Sequence, residues 1–218
     1  MASIVLRNSG TQELRNYVSM EIVIIKYNAG NIESVNNALM RLGVKAEITA
    51  DHEKIKAADK VIFPGVGEAS TTMAYLKEHK LDELIKNLKQ PVLGICLGQQ
   101  LMCSHSEEGD VECLGIFPEK VKRFQPEPGQ EFITKVPHMG WNSISQLKGD
   151  LLTPELDQQY VYFVHSYYVE VGDDTAAVCN YINPFSAALQ KDNFYATQFH
   201  PEKSQKVGAK ILENFIKL

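Results

Sequence analysis

Apolar and polar residues alternate along the first half of the chain in the pattern of a sheet whose strands are separated by helices. Short, nearly continuous apolar runs rich in β-branched residues predict parallel strands that are buried on both faces. These runs cover residues 22–26, 44–49, 60–63 and 92–95. Apolar residues at helical spacing predict helices over residues 32–42 and 71–88, the second with a break near Lys80. The alternation predicts an α/β fold built on a parallel sheet.

The second half of the chain contains more strand-like segments than helical ones. Runs of this kind cover residues 119–124, 161–164, 167–171, 176–181 and 194–199. We expect residues 167–171 and 176–181 to pair near the strand over residues 161–164. A closing helix is predicted over residues 204–218, since Val207, Ile211, Leu212 and Phe215 share one face.

Residues 1–19 lie outside this pattern of strands and helices. Their longest apolar run extends from Ile4 to Leu6, which is much shorter than the apolar core of a secretory signal. Met20 leads directly into the first predicted strand. We therefore expect residues 1–19 to be a disordered leader or extension, and residues 20–218 to form one domain.

The overall charge and the cysteine content exclude several classes of protein. The net charge of −5 argues against general nucleic-acid binding, and no apolar run approaches the ~20 residues of a membrane span. The four cysteines contain no zinc-type pair and are too sparse for a disulfide scaffold. We expect a cytoplasmic protein with free thiols and with neither a metal ion nor a cofactor.

The segment from Pro91 to Gln100 carries the first candidate for chemistry. Cys96 lies between Gly94 and Gly98, at the predicted junction of a strand and a helix. This is the thiol counterpart of the G-x-S-x-G turn, which exposes a nucleophile at the carboxyl end of a strand. A helix N-terminus next to the sulfur favours its thiolate form. On this motif alone, a buried core cysteine is as good an interpretation as a nucleophile.

A nucleophilic cysteine needs a base and a group that orients the base. His200 follows an apolar strand, and Glu202 lies two residues later, where an extended backbone directs both side chains to the same side. The imidazole can take the thiol proton and return it to a departing amine. His-Pro-Glu alone is also compatible with a surface turn, but its combination with Cys96 in an α/β chain favours a catalytic triad.

Two further features have more than one interpretation. Acyl transfer needs an oxyanion hole, for which the backbone N–H groups of Leu97 and Val66 are candidates. Gly65 and Gly67 allow the Val66 peptide to change its orientation, although a tight Pro-Gly turn explains the same sequence equally well. Trp141, the only tryptophan, is either an interface anchor or a partly buried packing residue.

Taken together, these residues resemble those of the class I (triad) glutamine amidotransferases, and the resemblance extends over residues 20–218. Residues 94–100 and the His200-Pro201-Glu202 motif carry it. Within the family, the chain resembles in particular the glutaminase subunits of imidazole glycerol phosphate synthase. The segments that support this narrower resemblance are residues 27–31, Ser34, 64–67, 137–142, 164–168 and 199–204. The resemblance implies a flavodoxin-like fold, with a central, mostly parallel sheet flanked by helices and a smaller antiparallel portion in the second half.

The resemblance also implies that the chain hydrolyses glutamine to glutamate and ammonia. In that reaction Cys96 attacks the side-chain amide, His200 carries the proton and Glu202 orients His200. The implied glutamine-binding residues are Gly67, Gln100, Ser166 and Tyr167. The implied partner in a heterodimer is a (β/α)8-barrel cyclase subunit, which uses the ammonia to make imidazole glycerol phosphate and aminoimidazole carboxamide ribotide in histidine biosynthesis. The residues implied near that interface are His138, Met139, Trp141 and Lys203.

Three other functions are weighed against this one. An amidotransferase subunit of another pathway, such as anthranilate, aminodeoxychorismate or pyridoxal phosphate synthesis, would share the triad but differ in its interface loops, and residues 137–142 argue against it. A cysteine peptidase or stress-response hydrolase often carries its base close to the nucleophile in sequence, unlike His200. A non-catalytic binding module with a degenerate site is disfavoured because Cys96, His200 and Glu202 are all present.

Overall fold

A computed structural model describes residues 20–27, 31–129, 132 and 134–218. The predicted extension over residues 1–19 lies outside the described residues, and so do residues 28–30 of the turn after the first strand. In the described part of the chain, no helix combines the length and the apolar character needed to cross a membrane.

The strands and helices of the described residues lie close to most of the predicted positions. The strands are β1 (Ile22–Ile25), β2 (Ala46–Thr49), β3 (Lys60–Gly65), β4 (Val92–Cys96), β5 (His105–Ser106), β6 (Val111–Glu112), β7 (Lys120–Arg123), β8 (His138–Ser143), β9 (Tyr160–His165), β10 (Tyr167–Val169), β11 (Thr175–Asn180), β12 (Pro184–Lys191) and β13 (Phe194–Thr197). The helices are α1 (Ile32–Arg41), α2 (His52–Ala57), α3 (Ala69–Glu78), α4 (Leu81–Lys86), α5 (Leu97–Met102) and α6 (Gln205–Lys217). Two 3-10 helices cover Pro154–Leu156 and Pro201–Lys203.

The central sheet has seven strands in the order β11, β12, β13, β4, β3, β1, β2. The five strands from β13 to β2 are parallel, and β12 and β11 extend the sheet in antiparallel fashion at one edge. Every residue of β1, β3, β4 and β13 is buried, which explains the continuous apolar runs in their sequences. Apolar side chains pack on both faces of the sheet. The predicted α/β fold with a mostly parallel sheet is confirmed.

The predicted helix over residues 71–88 is in fact two helices, with the break at the expected place. Helix α3 ends at Glu78 and α4 begins at Leu81. Between them Lys80 has a φ of 55°, which interrupts the helical backbone. The prediction of a break near Lys80 is therefore confirmed.

The predicted strand pairing in the second half is wrong. Strand β10 pairs with β7 in a four-stranded sheet, and β11 pairs with β12 at the edge of the central sheet. Strand β9 pairs instead with β8 in a separate two-stranded sheet. Strand β8 was not predicted because it contains no apolar run, and its ladder of hydrogen bonds comes from β9. Strand β12 and the short helix α2 were also not predicted.

The carboxyl ends of the parallel strands meet at one edge of the central sheet, where ligands bind in folds of this kind. The register pairs Gly65 of β3 with Cys96 of β4, and Ile95 of β4 with Thr197 of β13. The chain continues from Thr197 to His200 at this same edge. The turns at Gly65 and Cys96 therefore meet at this edge of the sheet.

Candidate active site

Cys96 ends β4 and immediately precedes α5. Its backbone has a φ of 55° and a ψ of −109°. A residue with a Cβ adopts such a conformation at a cost of about 1–3 kcal/mol, and strain of this kind is concentrated at functional sites. Cys96 is also buried, with only 8% of its surface exposed. The sequence-predicted turn thus presents the thiol at the end of the strand.

Three glycines permit the tight turn after β4. A Cβ on Gly98 would overlap with the carbonyl oxygen of Phe63, and a Cβ on Gly94 would lie 2.9 Å from Met102 Sδ. A Cβ on Gly65 would lie 2.6 Å from the Gly98 amide nitrogen. Because the neighbouring atoms are mostly backbone, they cannot move aside easily. The absence of a Cβ at these positions therefore allows the close packing of the turn against β3.

The backbone of His200 is held in place by hydrogen bonds to Tyr162 and Ser204. Its N–H group donates to the carbonyl oxygen of Tyr162 at 2.9 Å. The Ser204 hydroxyl donates to the His200 carbonyl oxygen at 2.7 Å and accepts a hydrogen bond from the Tyr162 N–H at 3.0 Å. The chain after His200 forms a 3-10 helix over Pro201–Lys203, so the expected extended geometry is wrong. One turn of this helix nevertheless brings Glu202 against the imidazole.

His200 and Glu202 form a buried hydrogen-bonded pair. The Nδ1 of His200 lies 2.7 Å from Glu202 Oε1, and Asn31 Nδ2 donates to the same oxygen. When Nδ1–H donates to the carboxylate, Nε2 is left to exchange a proton with a thiol. Burial raises the pKa of Glu202, but the hydrogen bond and charge of His200 and the Asn31 hydrogen bond outweigh it, so the pKa is lowered. Glu202 is therefore a carboxylate at neutral pH.

His200 and Cys96 line the same cavity, where the two side chains interact electrostatically. Burial lowers the pKa of His200, but the hydrogen bonds and negative charges of Cys96 and Glu202 outweigh it and raise the pKa to about 10. The protonated imidazole of His200 is thus stabilised by its two neighbours, Cys96 and Glu202. A thiolate paired with an imidazolium is the reactive form of a cysteine nucleophile.

A cavity of about 540 Å³ opens at this edge of the sheet and contains Cys96 and His200. Its walls include most of the other predicted site residues, namely Val66, Gly67, Leu97, Gln100, Ser166, Tyr167 and Lys203. They also include residues that were not predicted to be in the site, namely Asn31, Glu108, Pro137, Val164 and His165. The volume suits a small-molecule ligand. Within the described residues, no group of three or more His, Cys, Asp or Glu side chains is arranged to hold a metal ion.

The two predicted oxyanion-hole residues, Val66 and Leu97, both line the cavity beside Cys96. Leu97 is the first residue of α5, and N–H groups at the start of a helix have no partner within the helix. The Tyr27 hydroxyl donates to the Pro64 carbonyl oxygen at 2.5 Å, which anchors the chain just before the Val66 loop. The positions of both residues agree with an oxyanion hole, and that role stays a prediction.

Gln198 connects Gln100 to the nucleophile and was not predicted to belong to the site. The Nε2 of Gln100 donates to the Tyr167 carbonyl oxygen and to Gln198 Oε1, both at 2.9 Å. The Nε2 of Gln198 in turn lies 3.8 Å from Cys96 Sγ. The Gln100 side chain is therefore held in one orientation. The one feature of the sequence that could have indicated this role is the position of Gln198 two residues before His200.

Glu108 is a second site residue that sequence reasoning missed. Its Oε2 accepts a hydrogen bond from the Ala69 N–H at 2.9 Å, which fixes the carboxyl group at the cavity wall. Burial raises the pKa of Glu108, against the effect of the Ala69 hydrogen bond. Glu107 and Glu108 are adjacent in the sequence, and nothing in the local pattern indicates which of them faces the cavity.

Four residues were expected near a partner interface, and one of them is buried. His138 is 4% exposed, whereas Met139 is 63% and Trp141 is 45% exposed. Lys203 lines the cavity, and its Nζ lies 6.0 Å from the centre of the Tyr162 ring. We define the exposed face as Met139 and Trp141 of β8. The side chain of His138 belongs to the interior behind that face.

Comparison with known proteins places this site in a family. The family model for glutamine amidotransferase class-I matches residues 23–218. The chain therefore belongs to the class I glutamine amidotransferases, as the sequence motifs indicated. Imidazole glycerol phosphate synthase subunit HisH of Bacteroides fragilis (strain YCH46) is 65% identical over 199 residues, which are 91% of this chain and 100% of that protein. The HisH subunit of Escherichia coli (strain K12) is 44% identical over 201 residues, and the match covers 91% of this chain and 100% of that protein. Within the class, the chain belongs to the HisH subunits of imidazole glycerol phosphate synthase.

Solved structures confirm the fold. A putative GMP synthase protein from Thermoplasma acidophilum superimposes with a TM-score of 0.68 at 22% identity, and the match covers 91% of this chain and 93% of that one. A structure described as a glutamine amidotransferase gives a TM-score of 0.67 at 16% identity, and the match covers 89% of this chain and 97% of that one. At these identities the likeness concerns the fold alone. The membership in HisH rests on the sequence relatives, which also argue against a peptidase or an amidotransferase of another pathway.

Proposed function

We propose that the chain hydrolyses glutamine through Cys96, His200 and Glu202 and passes the ammonia to a cyclase subunit. Its family membership makes it the glutaminase subunit of imidazole glycerol phosphate synthase, an enzyme of histidine biosynthesis. One observation carries the proposed mechanism. Cys96, on a strained turn, and His200, hydrogen-bonded to Glu202, meet at one cavity of about 540 Å³.

The reaction would proceed through a thioester. The Cys96 thiolate attacks the side-chain carbonyl carbon of glutamine, and the oxyanion that forms accepts hydrogen bonds from backbone N–H groups of Leu97 and Val66. His200 gives its Nε2 proton to the amide nitrogen, the C–N bond breaks and ammonia leaves. A water molecule, deprotonated by His200, then attacks the thioester. The C–S bond breaks, glutamate leaves, and the thiolate and imidazolium are restored, while Glu202 stays ionised.

The cavity also offers groups that match the rest of the glutamine molecule. Gly67, Gln100, Ser166 and Tyr167 line it and would hold the substrate. Among the described residues that line the cavity, Glu108 is the one carboxylate. A carboxylate beside the substrate is suited to bind the α-ammonium group of glutamine.

Replacement of Glu108 by glutamine (Glu108→Gln) should therefore weaken glutamine binding. The substitution keeps an oxygen for the Ala69 N–H but removes the charge that would pair with the ammonium group. Losing a charged hydrogen bond typically costs about 1.5–3 kcal/mol, so we expect KM for glutamine to rise about tenfold or more. Steady-state kinetics should show kcat changed by less than about threefold. The matched control is Glu112→Gln on exposed β6, and equal KM values in the two variants would contradict this role for Glu108.

The ammonia is proposed to reach the cyclase through a contact on the exposed face. Met139 and Trp141 present exposed apolar surface, and large exposed apolar side chains are common interface anchors. The Trp141 ring packs against Tyr162, and Lys203 of the cavity wall approaches the same Tyr162 ring. Ammonia released into water at neutral pH becomes mostly ammonium, which is not a nucleophile. A closed contact between the glutaminase and a (β/α)8-barrel partner would keep the ammonia reactive. Because Cys96 must remain a free thiol, we place the complex in the reducing cytoplasm.

Covalent labelling tests the proposed chemistry directly. The two-subunit enzyme would be incubated with a chloroketone or diazoketone analogue of glutamine, and the label would be located by peptide mass spectrometry. We expect one label per chain, on Cys96, and slower labelling when glutamine is present. Absence of the label in an enzyme whose cyclase subunit is active with ammonium salts would sink the proposal and favour a non-catalytic binding module.

A further inference from the structure

Two buried histidines, His165 in the cavity wall and His138 behind it, have no part in the mechanism described above. They are cross-strand neighbours on β8 and β9, and they are 4% and 6% exposed. The Nδ1 of His138 lies 3.0 Å from His165 Nε2. His138 also stacks on the rings of Phe163 and Tyr181, at centroid distances of 4.9 and 4.0 Å.

The hydrogen-bond partners determine the protonation of both rings. The Nδ1 of His165 lies 2.7 Å from the Tyr167 carbonyl oxygen, which can only accept, so Nδ1 carries the proton. His165 Nε2 is then an acceptor, and the proton on this side comes from His138 Nδ1. The remaining His138 Nε2 accepts from Asn142 Nδ2 at 3.5 Å. Burial lowers the pKa of His138 to about 4. Burial is also the largest of the causes that lower the pKa of His165 to about 3. Both rings are therefore neutral at pH 7.

The series of hydrogen bonds continues from the histidines to the nucleophile. The Tyr167 carbonyl oxygen accepts from His165 on one side and from Gln100 Nε2 on the other. Gln100 also holds Gln198, whose Nε2 lies 3.8 Å from Cys96 Sγ. A single carbonyl group therefore joins the histidine pair to the side chains that orient glutamine and the thiol.

The other end of the series lies on the exposed face. His138 is adjacent in β8 to Met139, and Trp141 lies on the same strand. Because side chains alternate along a strand, His138 points inward where Met139 points outward. A shift of β8 when the partner subunit binds the exposed face would change the distance between His138 and His165. Breaking that bond would leave a buried donor and a buried acceptor unpaired, which the protein interior penalises strongly.

We propose that His138 and His165 are positioning residues that connect the exposed face to the glutamine site by holding the Tyr167 carbonyl and, through it, Gln100. This inference rests on the proposed function, since it concerns the binding of glutamine. When β8 keeps its position against β9, the hydrogen bond between His138 and His165 is intact and Gln100 stays in place. The partner subunit would thereby influence glutamine binding without touching the cavity.

The test compares three variants in the two-subunit enzyme. His138→Phe keeps the ring stack but removes the hydrogen-bond donor, whereas His138→Asn places an amide N–H close to the position of Nδ1. We expect His138→Phe to raise KM for glutamine about tenfold with kcat changed less than threefold, and to reduce the stimulation of glutaminase activity by the partner at least fivefold. His138→Asn should restore both values to within about threefold of wild type. Tyr181→Phe, which removes the hydrogen bond from its hydroxyl to the Lys135 carbonyl but keeps the stack, is the matched control and should behave as wild type.

The outcomes separate this inference from the proposed function. A wild-type enzyme that hydrolyses glutamine, together with a His138→Phe variant of unaltered KM or unaltered stimulation, overturns the inference alone. A KM that rises in His138→Phe and is not restored in His138→Asn also overturns it, because the loss then reflects packing. A wild-type enzyme that does not hydrolyse glutamine overturns both.

A measurement on the wild-type protein does not depend on whether a variant folds. Nitrogen-15 NMR of labelled histidine distinguishes the two neutral tautomers and the imidazolium. We expect both His138 and His165 at pH 7 to be neutral and to carry their proton on Nδ1. An imidazolium, or a proton on Nε2 of either ring, would break the series of hydrogen bonds and overturn the inference.

Discussion

Replacement of Cys96 by alanine (Cys96→Ala) is expected to reduce glutamine-dependent turnover by about a thousandfold or more, because removal of a catalytic nucleophile eliminates the covalent pathway. Alanine has no sulfur with which to form the thioester, and it is smaller than cysteine, so it fits the same turn. The cyclase reaction supplied with ammonium salts should stay close to the wild-type rate, since it needs no glutaminase chemistry. Parallel assays of the two-subunit enzyme with glutamine and with ammonium would measure both rates.

Cys113 provides the matched control for this experiment. It is a free, partly exposed thiol whose Sγ lies 3.6 Å from the Val111 carbonyl oxygen. Cys113→Ala should leave glutamine-dependent turnover within about twofold of wild type. If Cys96→Ala retained more than about a tenth of the glutamine-dependent rate, or if it lost the ammonium-dependent rate as well, Cys96 would not be the nucleophile of a separate glutaminase site.

Strand β4, which ends at Cys96, and strand β13, which leads to His200, could be predicted because their sequences contain the necessary information locally. A strand buried on both faces must be apolar throughout, so β1, β3, β4 and β13 are visible as short apolar runs. The ends of parallel strands share one edge of the sheet, so residues just after two such runs can be expected to meet. This reasoning brings Cys96 and His200 together across about a hundred residues of sequence. Their meeting at one cavity confirms that part of the prediction.

Residues whose role depends on a tertiary contact could not be predicted in this way. Glu108 lines the cavity, and Gln198 contacts Gln100 and Cys96, only because of how separate segments pack. Strand β8 has no apolar run, and its pairing with β9 is what makes it a strand. The same pairing turns His138 inward and away from the surface where it was expected. The sequence motif indicated that His138 matters, and the structure places it in the interior.

The Glu202→Gln variant tests the third member of the proposed triad. Glutamine keeps the volume of glutamate and an oxygen that can face His200, but it removes the negative charge. We expect kcat/KM for glutamine to fall about a hundredfold, within the range typical of general acid–base groups. Glu202 Oε2 is buried and has no hydrogen-bond partner among the described residues, so the new amide group would also lack one. Thermal unfolding should therefore be measured alongside activity, to separate a lost charge from a loosened fold.

The pH dependence of the Glu202→Gln variant separates these causes further. The charge of Glu202 helps to raise the pKa of His200 to about 10, so the wild-type imidazolium persists to high pH and can protonate the departing ammonia. Without that charge the pKa of His200 falls, and the imidazolium is lost at a lower pH. The descending limb of kcat/KM against pH should accordingly move to lower pH in Glu202→Gln. The control is Glu155→Gln, which alters an exposed carboxylate paired with Lys210 and should leave the profile unchanged. A profile that keeps its wild-type shape while the rate falls would mean that Glu202 supports the fold around His200 without setting its proton affinity.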